Sequence, residues 1–188
     1  MSAEKLHPLI DRHAIARRVR ELGAEITRDL HGTTPCLIPV MDGGMIFAAD
    51  LMREISLPVI LRPVKASSYG SGTSSSGSVT LPWGLPEDVK GRTILLIDDI
   101  LDTGRTLEAL GSRLLEAGAS SVKTCVLLRK KSAAHLAADY IGFDIPDHFV
   151  IGYGLDLGGL YRNLPDIMVE PGFCDSVPPT SLDASPGW

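Results

Sequence analysis

Few cysteines, no surplus of positive charge and no long apolar run mark this sequence, and each shortage closes off a class of protein. Its 188 residues hold three cysteines. Cys36 and Cys125 lie in apolar, strand-like runs and Cys174 near the end. None stands at metal-ligand spacing, so all three read as reduced thiols. The five histidines, His7, His13, His31, His135 and His148, form no HExxH-type group and read as structural or surface residues. Lys and Arg number 18 against 23 Asp and Glu, and the resulting formal charge of −5 argues against nonspecific nucleic-acid binding. Met1 to Ile10 carries no apolar h-region, and no segment approaches a membrane span. A cytoplasmic protein with no membrane or nucleic-acid partner is therefore expected. There is no internal repeat.

At this length one domain with a proper core is expected over residues 1–174, followed by a flexible tail, 175–188, rich in proline and poor in apolar groups. Between Asp11 and Leu30 the apolar residues Ile15, Val19, Leu22, Ile26 and Leu30 recur every three or four positions, and Gly32 follows as a stop. This predicts an amphipathic helix. Cys36 to Met41 reads as a strand, Asp42-Gly43-Gly44 as a turn and Met45 to Glu54 as a helix. Val59 to Val64 and a weaker Ser78 to Trp83 are further predicted strands. Val122 to Leu128 follows, and Tyr140 to Phe143, Phe149 to Ile151 and Ile167 to Val169 are predicted to finish the sheet. The alternation of strand and helix predicts an α/β fold with a mostly parallel central sheet flanked by helices.

The most informative stretch runs from Ile94 to Thr106. Ile94-Leu95-Leu96-Ile97 is continuously apolar, as in a strand covered on both faces. It ends in Asp98, Asp99 and, after two residues, Asp102. The carboxyl ends of strands are where open α/β sheets bind ligands. Thr103-Gly104-Arg105-Thr106 then opens a helix with Leu107, Leu110, Leu114 and Leu115 on its apolar side. The free N–H groups and hydroxyls of this turn can wrap a phosphate without the lysine of a P-loop. Capping a helix needs one acidic or hydroxyl residue. Three crowded carboxylates beside a phosphate site repel one another unless a polyol or a metal occupies them.

Asp98-Asp99-Ile100-Leu101-Asp102-Thr103-Gly104 resembles the phosphoribosyl pyrophosphate motif of the type I phosphoribosyltransferases, in the form found in hypoxanthine-guanine phosphoribosyltransferases. The resemblance implies that fold, with a small hood and a mobile lid loop, here 66–78. It implies that Asp98 and Asp99 bind the ribose hydroxyls, that Asp102 serves the purine, and that Thr103, Gly104, Arg105 and Thr106 hold the 5-phosphate.

Four other segments fall into place beside it. On its residues alone, Met41-Asp42-Gly43-Gly44 is either a tight strand-to-helix turn or a close backbone approach to an anion. The resemblance makes it the pyrophosphate loop, with a cis peptide at Met41-Asp42. Many members of the family carry a basic residue where this chain has Asp42, so the implied contact is through backbone. The Ser/Gly-rich run from Ser67 to Gly77 reads as a flexible linker or as a lid, and the resemblance places Ser68 and Tyr69 over the reacting centre. Arg129-Lys130-Lys131 alone is a charge run after a strand. By resemblance Lys130 meets the 6-oxo group of the purine, and a lysine donor there favours hypoxanthine or guanine over adenine. Phe149 stacks on that base and the backbone of Val150 reads its edge. Gly-Leu-Asp at 154–156 and Arg-Asn-Leu-Pro at 162–165 are similar to a bacterial branch of the family. They imply Asp156 as a ligand of Mg²⁺ or a partner of one, with Asp98 and Asp99 on the metal side too, and Arg162 on pyrophosphate.

The expected function is a purine salvage enzyme joining hypoxanthine or guanine to phosphoribosyl pyrophosphate, Mg²⁺-dependent, with Asp102 as general base at N7, assembled as a homodimer or homotetramer. The alternatives are a regulator that keeps the transferase fold but binds RNA or a protein partner, and a transferase preferring xanthine.

Overall fold

The computed structural model describes residues 8–68, 79–82 and 84–169, with side chains for all of these except 67, 68, 79 and 80. In chain order the elements are β1 (Pro8–Ile10), α1 (Arg12–Asp29), β2 (Cys36–Met41), α2 (Gly44–Glu54), β3 (Ile60–Leu61), β4 (Val64–Lys65), β5 (Ser67–Ser68), β6 (Val79–Thr80), β7 (Thr93–Leu101), α3 (Arg105–Glu116), β8 (Ser121–Lys130), β9 (Tyr140–Ile145), β10 (Val150–Ile151) and β11 (Ile167–Val169). Tyr69, most of the lid expected at 66–78, Cys174 and the tail 175–188 lie outside the described residues.

The central sheet has the order β3-β2-β7-β8-β9, with β4 also on β2, and every one of these pairs is parallel. Its inner strands are buried on both faces, which is why they read as continuous apolar runs. Leu37, Leu95, Ile97 and Leu127 face α1 and α2, where Ile15, Val19, Leu22 and Ile26 supply the apolar stripe of α1. Cys36, Ile38, Ile94, Leu96 and Val126 face the other way, onto Leu107, Leu110 and Leu114 of α3.

Four expectations need correction. The strand predicted over Val59 to Val64 is two short pieces, because Pro63 offers no N–H to the ladder. Of the strand predicted over Ser78 to Trp83, only Val79–Thr80 pairs, antiparallel to β5, and residues 78 and 83 lie outside the described residues. Leu115 is 52% exposed and not on the apolar side of α3. Tyr140 to Phe143, extended to Ile145, does finish the central sheet, but β10 and β11 do not. They form a separate antiparallel sheet with β1, of order β1-β11-β10. This small sheet is the hood, and it brings Val150 over the end of the central one.

Candidate active site

β7 does not stop where its apolar run stops. It continues through Leu101, paired to β8 at Asp98↔Val126, Ile100↔Leu128 and Leu101↔Arg129. Asp98 and Asp99 are thus strand residues, half-buried at the carboxyl edge. The N–H of Asp99 donates to Asp98 Oδ1 at 3.0 Å. Burial, joined by the neighbouring charge of Asp99, pushes the Asp98 carboxyl well above the usual carboxylate range. Burial raises Asp99 as well, although hydrogen bonding with Asp98 and with backbone N–H groups, and last the positive charge of Arg162, pull against it. Two adjacent acids held above their ordinary range form a site poised to take a cation or hydrogen-bond donors.

The turn between β2 and α2 lies directly against this pair, and the Met41-Asp42 peptide is cis, as the resemblance implies. Its glycines are required by close approach. A Cβ on Gly43 would fall 1.8 Å from Asp99 Oδ2, and one on Gly44 would fall 3.0 Å from the Ile97 carbonyl oxygen. α2 starts here, at Gly43, with no side-chain cap and no acid in its first turn. α3 starts likewise at Gly104, whose φ of +73° suits glycine, with no side-chain cap. Thr103, Gly104, Arg105 and Thr106 surround that second uncapped start. Helix starts without a side-chain cap present N–H groups that favour anions.

Asp102 and Lys130 meet across the edge: Lys130 Nζ donates to Asp102 Oδ2 at 2.8 Å. The lysine side chain is 18% exposed and the carboxylate 51%. Both line a cleft of about 230 Å³ together with Asp99, Asp156, Phe149 and Val150. Phe149, just before β10, presents an exposed ring, while Val150 is buried. His148 also lines this cleft. It was expected to be structural or at the surface, and spacing along the chain offers no signal for its place.

Asp156 is already engaged. Arg162 Nη2 donates to its Oδ1 at 2.7 Å, and the Gly159 N–H to its Oδ2 at 2.7 Å. Arg162 also donates to the Gly154 carbonyl. Gly154 packs on the Gly43 carbonyl oxygen, so the 152–156 loop and the 41–44 turn support each other. Arg162 also borders a second, larger cavity of about 480 Å³ between α1, α2 and the 153–165 segment. No other predicted site residue lines that cavity. Of the lid pair, Ser68 is described only by its backbone in β5, and Tyr69 is outside the described residues.

Sequence reasoning missed Lys65. The register of β4 on β2 sets Lys65 opposite Met41, and its Nζ lies 3.4 Å from Asp42 Oδ2. Its one signal in the sequence is its position at a strand end just before the Ser/Gly-rich run.

The carboxyl edge of the sheet therefore gathers two half-buried acids, two uncapped helix starts, a carboxylate–ammonium pair beside an exposed ring, and an arginine held by an aspartate. Known proteins are similar to this chain in sequence and in fold. The phosphoribosyl transferase domain family matches residues 8–157. Hypoxanthine-guanine phosphoribosyltransferase of Bacillus subtilis is 44% identical over 163 residues, covering 86% of this chain and 91% of that one. Its counterpart in Aquifex aeolicus is 41% identical over 171 residues, 89% and 96% of the two chains. The structure of a hypoxanthine phosphoribosyltransferase from Staphylococcus aureus superposes with a TM-score of 0.82 at 35% identity, over 88% of this chain and 91% of that one. On domain, relatives and fold alike, the chain belongs to the hypoxanthine-guanine phosphoribosyltransferase family.

Proposed function

We propose that the protein transfers the phosphoribosyl group of phosphoribosyl pyrophosphate to hypoxanthine or guanine, giving the nucleoside monophosphate and pyrophosphate. The observation that carries this reading is the Asp102–Lys130 pair, 2.8 Å apart beside the ring of Phe149. A 6-oxopurine carries an N7 edge that pairs with a carboxylate and an adjacent oxygen that accepts from an ammonium. It can enter the pair by exchanging one contact for two. Adenine would set its 6-amino donor against the lysine donor.

In this reading Phe149 stacks on the base and the backbone of Val150 meets its edge. Asp98 and Asp99 bind the ribose hydroxyls, and Thr103, Gly104, Arg105 and Thr106 hold the 5-phosphate at the start of α3. The backbone of Met41, Asp42, Gly43 and Gly44, with Arg162, receives pyrophosphate at the start of α2. As N9 attacks C1′ and pyrophosphate departs, Asp102 takes or shares the N7 proton. General base roles of this kind are worth roughly 10²- to 10⁴-fold. Lys130 and Asp156 fix their partners before substrate arrives, so little reorganisation accompanies the charge shift. Ser68 and Tyr69 would close over the reacting centre and exclude water.

The donor set fits Mg²⁺. Among the described residues no three His, Cys, Asp or Glu side chains form a closed metal group. Mg²⁺ takes one or two carboxylates and fills the rest of its shell with water and substrate oxygen. Asp98 and Asp99 supply such a pair, and their raised affinity for protons reports the electrostatic cost that a cation would relieve. Asp156, with both oxygens engaged, suits the role of a partner that holds Arg162. When bound, Mg²⁺ supplies charge neutralisation at the pyrophosphate and ribose oxygens. A homodimer or homotetramer and a cytoplasmic location complete the proposal. Among the described residues no helix is long and apolar enough to cross a membrane.

The test is a panel of free bases incubated with phosphoribosyl pyrophosphate and Mg²⁺, with product nucleotide read by chromatography. Nucleotide from hypoxanthine or guanine and none from adenine is expected. Product from xanthine would widen the specificity, and no product from any 6-oxopurine would sink the reading.

A further inference from the structure

The turn read above as the pyrophosphate site has an electrostatic fault. Asp42 places a half-exposed carboxylate on it, and Asp99 Oδ2 lies where a Gly43 side chain would begin. A polyanionic leaving group would meet acids on both sides. Arg162 is already shared between Asp156 and the Gly154 carbonyl. The ammonium that stands on the turn itself is Lys65. Two independent facts put it there: the parallel register of β4 on β2, which sets Lys65 opposite Met41, and the 3.4 Å approach of Nζ to Asp42 Oδ2.

That approach is longer than the ~2.7–3.2 Å of a normal N–H···O bond. Both side chains are about half exposed, at 41% and 49%. Exposed pairs of this kind contribute little to stability. A loose contact on a flexible stem is instead suited to exchange, because an ammonium has three donors and can follow an anion over several ångströms.

We propose that Lys65 is the pyrophosphate-binding cation of the 41–44 turn, resting on Asp42 and passing its ammonium to the leaving group as that group enters. Asp42 then acts as the resting partner that keeps Lys65 on the turn. This rests on the reading of the turn as the pyrophosphate site.

The experiment measures binding of inorganic pyrophosphate with Mg²⁺ by calorimetry, and KM for both substrates, in Lys65→Met, Asp42→Asn and the double variant. In Lys65→Met the Kd for pyrophosphate and the KM for phosphoribosyl pyrophosphate should each rise roughly 10-fold, as for a lost charge-assisted contact. The KM for hypoxanthine and the Tm should stay at wild-type values, and Lys65→Arg should recover most of the loss. Asp42→Asn removes a carboxylate from the turn and keeps its backbone, so the Kd for pyrophosphate should fall. The double variant separates the two roles open to Lys65. If the lysine only neutralises Asp42, removing both restores wild-type affinity, and that result overturns the proposal. So does wild-type affinity in Lys65→Met, or a wild-type protein that binds no pyrophosphate. If the wild type makes no nucleotide from any 6-oxopurine and Lys65→Met still weakens pyrophosphate binding, the functional reading fails and Lys65 stands. Full turnover in wild type with an indifferent Lys65→Met gives the reverse.

Discussion

The start of α1 and the carboxyl edge of the central sheet use the same two groups, aspartate and helix N–H, to opposite ends. At α1 the N–H groups of His13 and Ala14 both donate to Asp11 Oδ1, at 2.8 and 2.9 Å. The Ala14 bond is the main reason the Asp11 carboxyl is held below its ordinary range. Asp166 is likewise lowered, first by the Arg12 guanidinium at 2.9 Å and then by the Arg12 N–H. At the carboxyl edge, α2 and α3 start without side-chain caps, and the acids between them, Asp98 and Asp99, are raised. One region pairs its donors and acceptors internally and gains stability. The other leaves them to be paired by what binds, at a cost to the free protein.

The largest effect that could break this contrast is on turnover. Asp102→Asn keeps an oxygen for Lys130 but cannot take a proton. The kcat should fall by roughly 10²- to 10⁴-fold, while KM for phosphoribosyl pyrophosphate stays within a factor of about three. Asp166→Asn, the same change on the internally paired side, should leave kcat unchanged and lower only Tm. Steady-state kinetics on the two variants decide the matter. Near wild-type turnover in Asp102→Asn would remove it from the mechanism.

How far this contrast was legible in the sequence differs from residue to residue. The stripe of α1, the strand Cys36–Met41 and the acidic end of β7 rest on local patterns, and local patterns survive in one dimension. Partners far apart in the chain do not. Pro8 pairs with Met168, so the small sheet needs a contact across nearly the whole sequence, and in one dimension β10 and β11 read as part of the central sheet. The extension of β7 through Leu101 depends on its ladder to β8, which polar residues do not announce. Phe149 and Lys130 were found through a resemblance, because an exposed ring and a charge run carry no spacing signal of their own. Lys65 needed the register of a two-residue strand. The resemblance to the family rests on motifs legible in the sequence, whereas the Asp102–Lys130 contact that gives the site its chemistry appears only in three dimensions.

The second effect concerns stability at the carboxyl edge. Burial is the first cause of the raised Asp98 carboxyl, so the folded state favours its protonated form more than the unfolded chain does. The associated stability is fully present below the unfolded value and is lost as pH rises through the folded one. Wherever Asp98 is ionised, the free protein carries that loss. Asp98→Asn keeps an acceptor for the Asp99 N–H and removes the charge. At a pH high enough to ionise Asp98, its Tm should exceed wild type by about 3 °C, what ~1 kcal/mol is worth at this chain length. The gain should shrink as pH falls, and affinity for phosphoribosyl pyrophosphate with Mg²⁺ should drop. Calorimetric melts across pH 4 to 8 test it, and a Tm that falls further below wild type as pH rises would reverse the sign assigned to this acid.

The smallest effect should carry the opposite sign. Asp11 is lowered by the bonds it accepts, so its contribution is present above the unfolded value and is lost as pH falls through the folded one. Asp11→Ala removes a charged N-cap, a change that costs about 1 kcal/mol in comparable helices, or ~2–4 °C here. Turnover at 25 °C should not change, because Asp11 does not line the cleft that holds Asp102 and Lys130. Lowering the pH should bring wild type down toward Asp11→Ala, while it brings wild type up toward Asp98→Asn. If both differences moved the same way with pH, the two regions would share one electrostatic logic. The uncapped starts of α2 and α3 would then have to be explained by packing against β7 rather than by the anions they are proposed to receive.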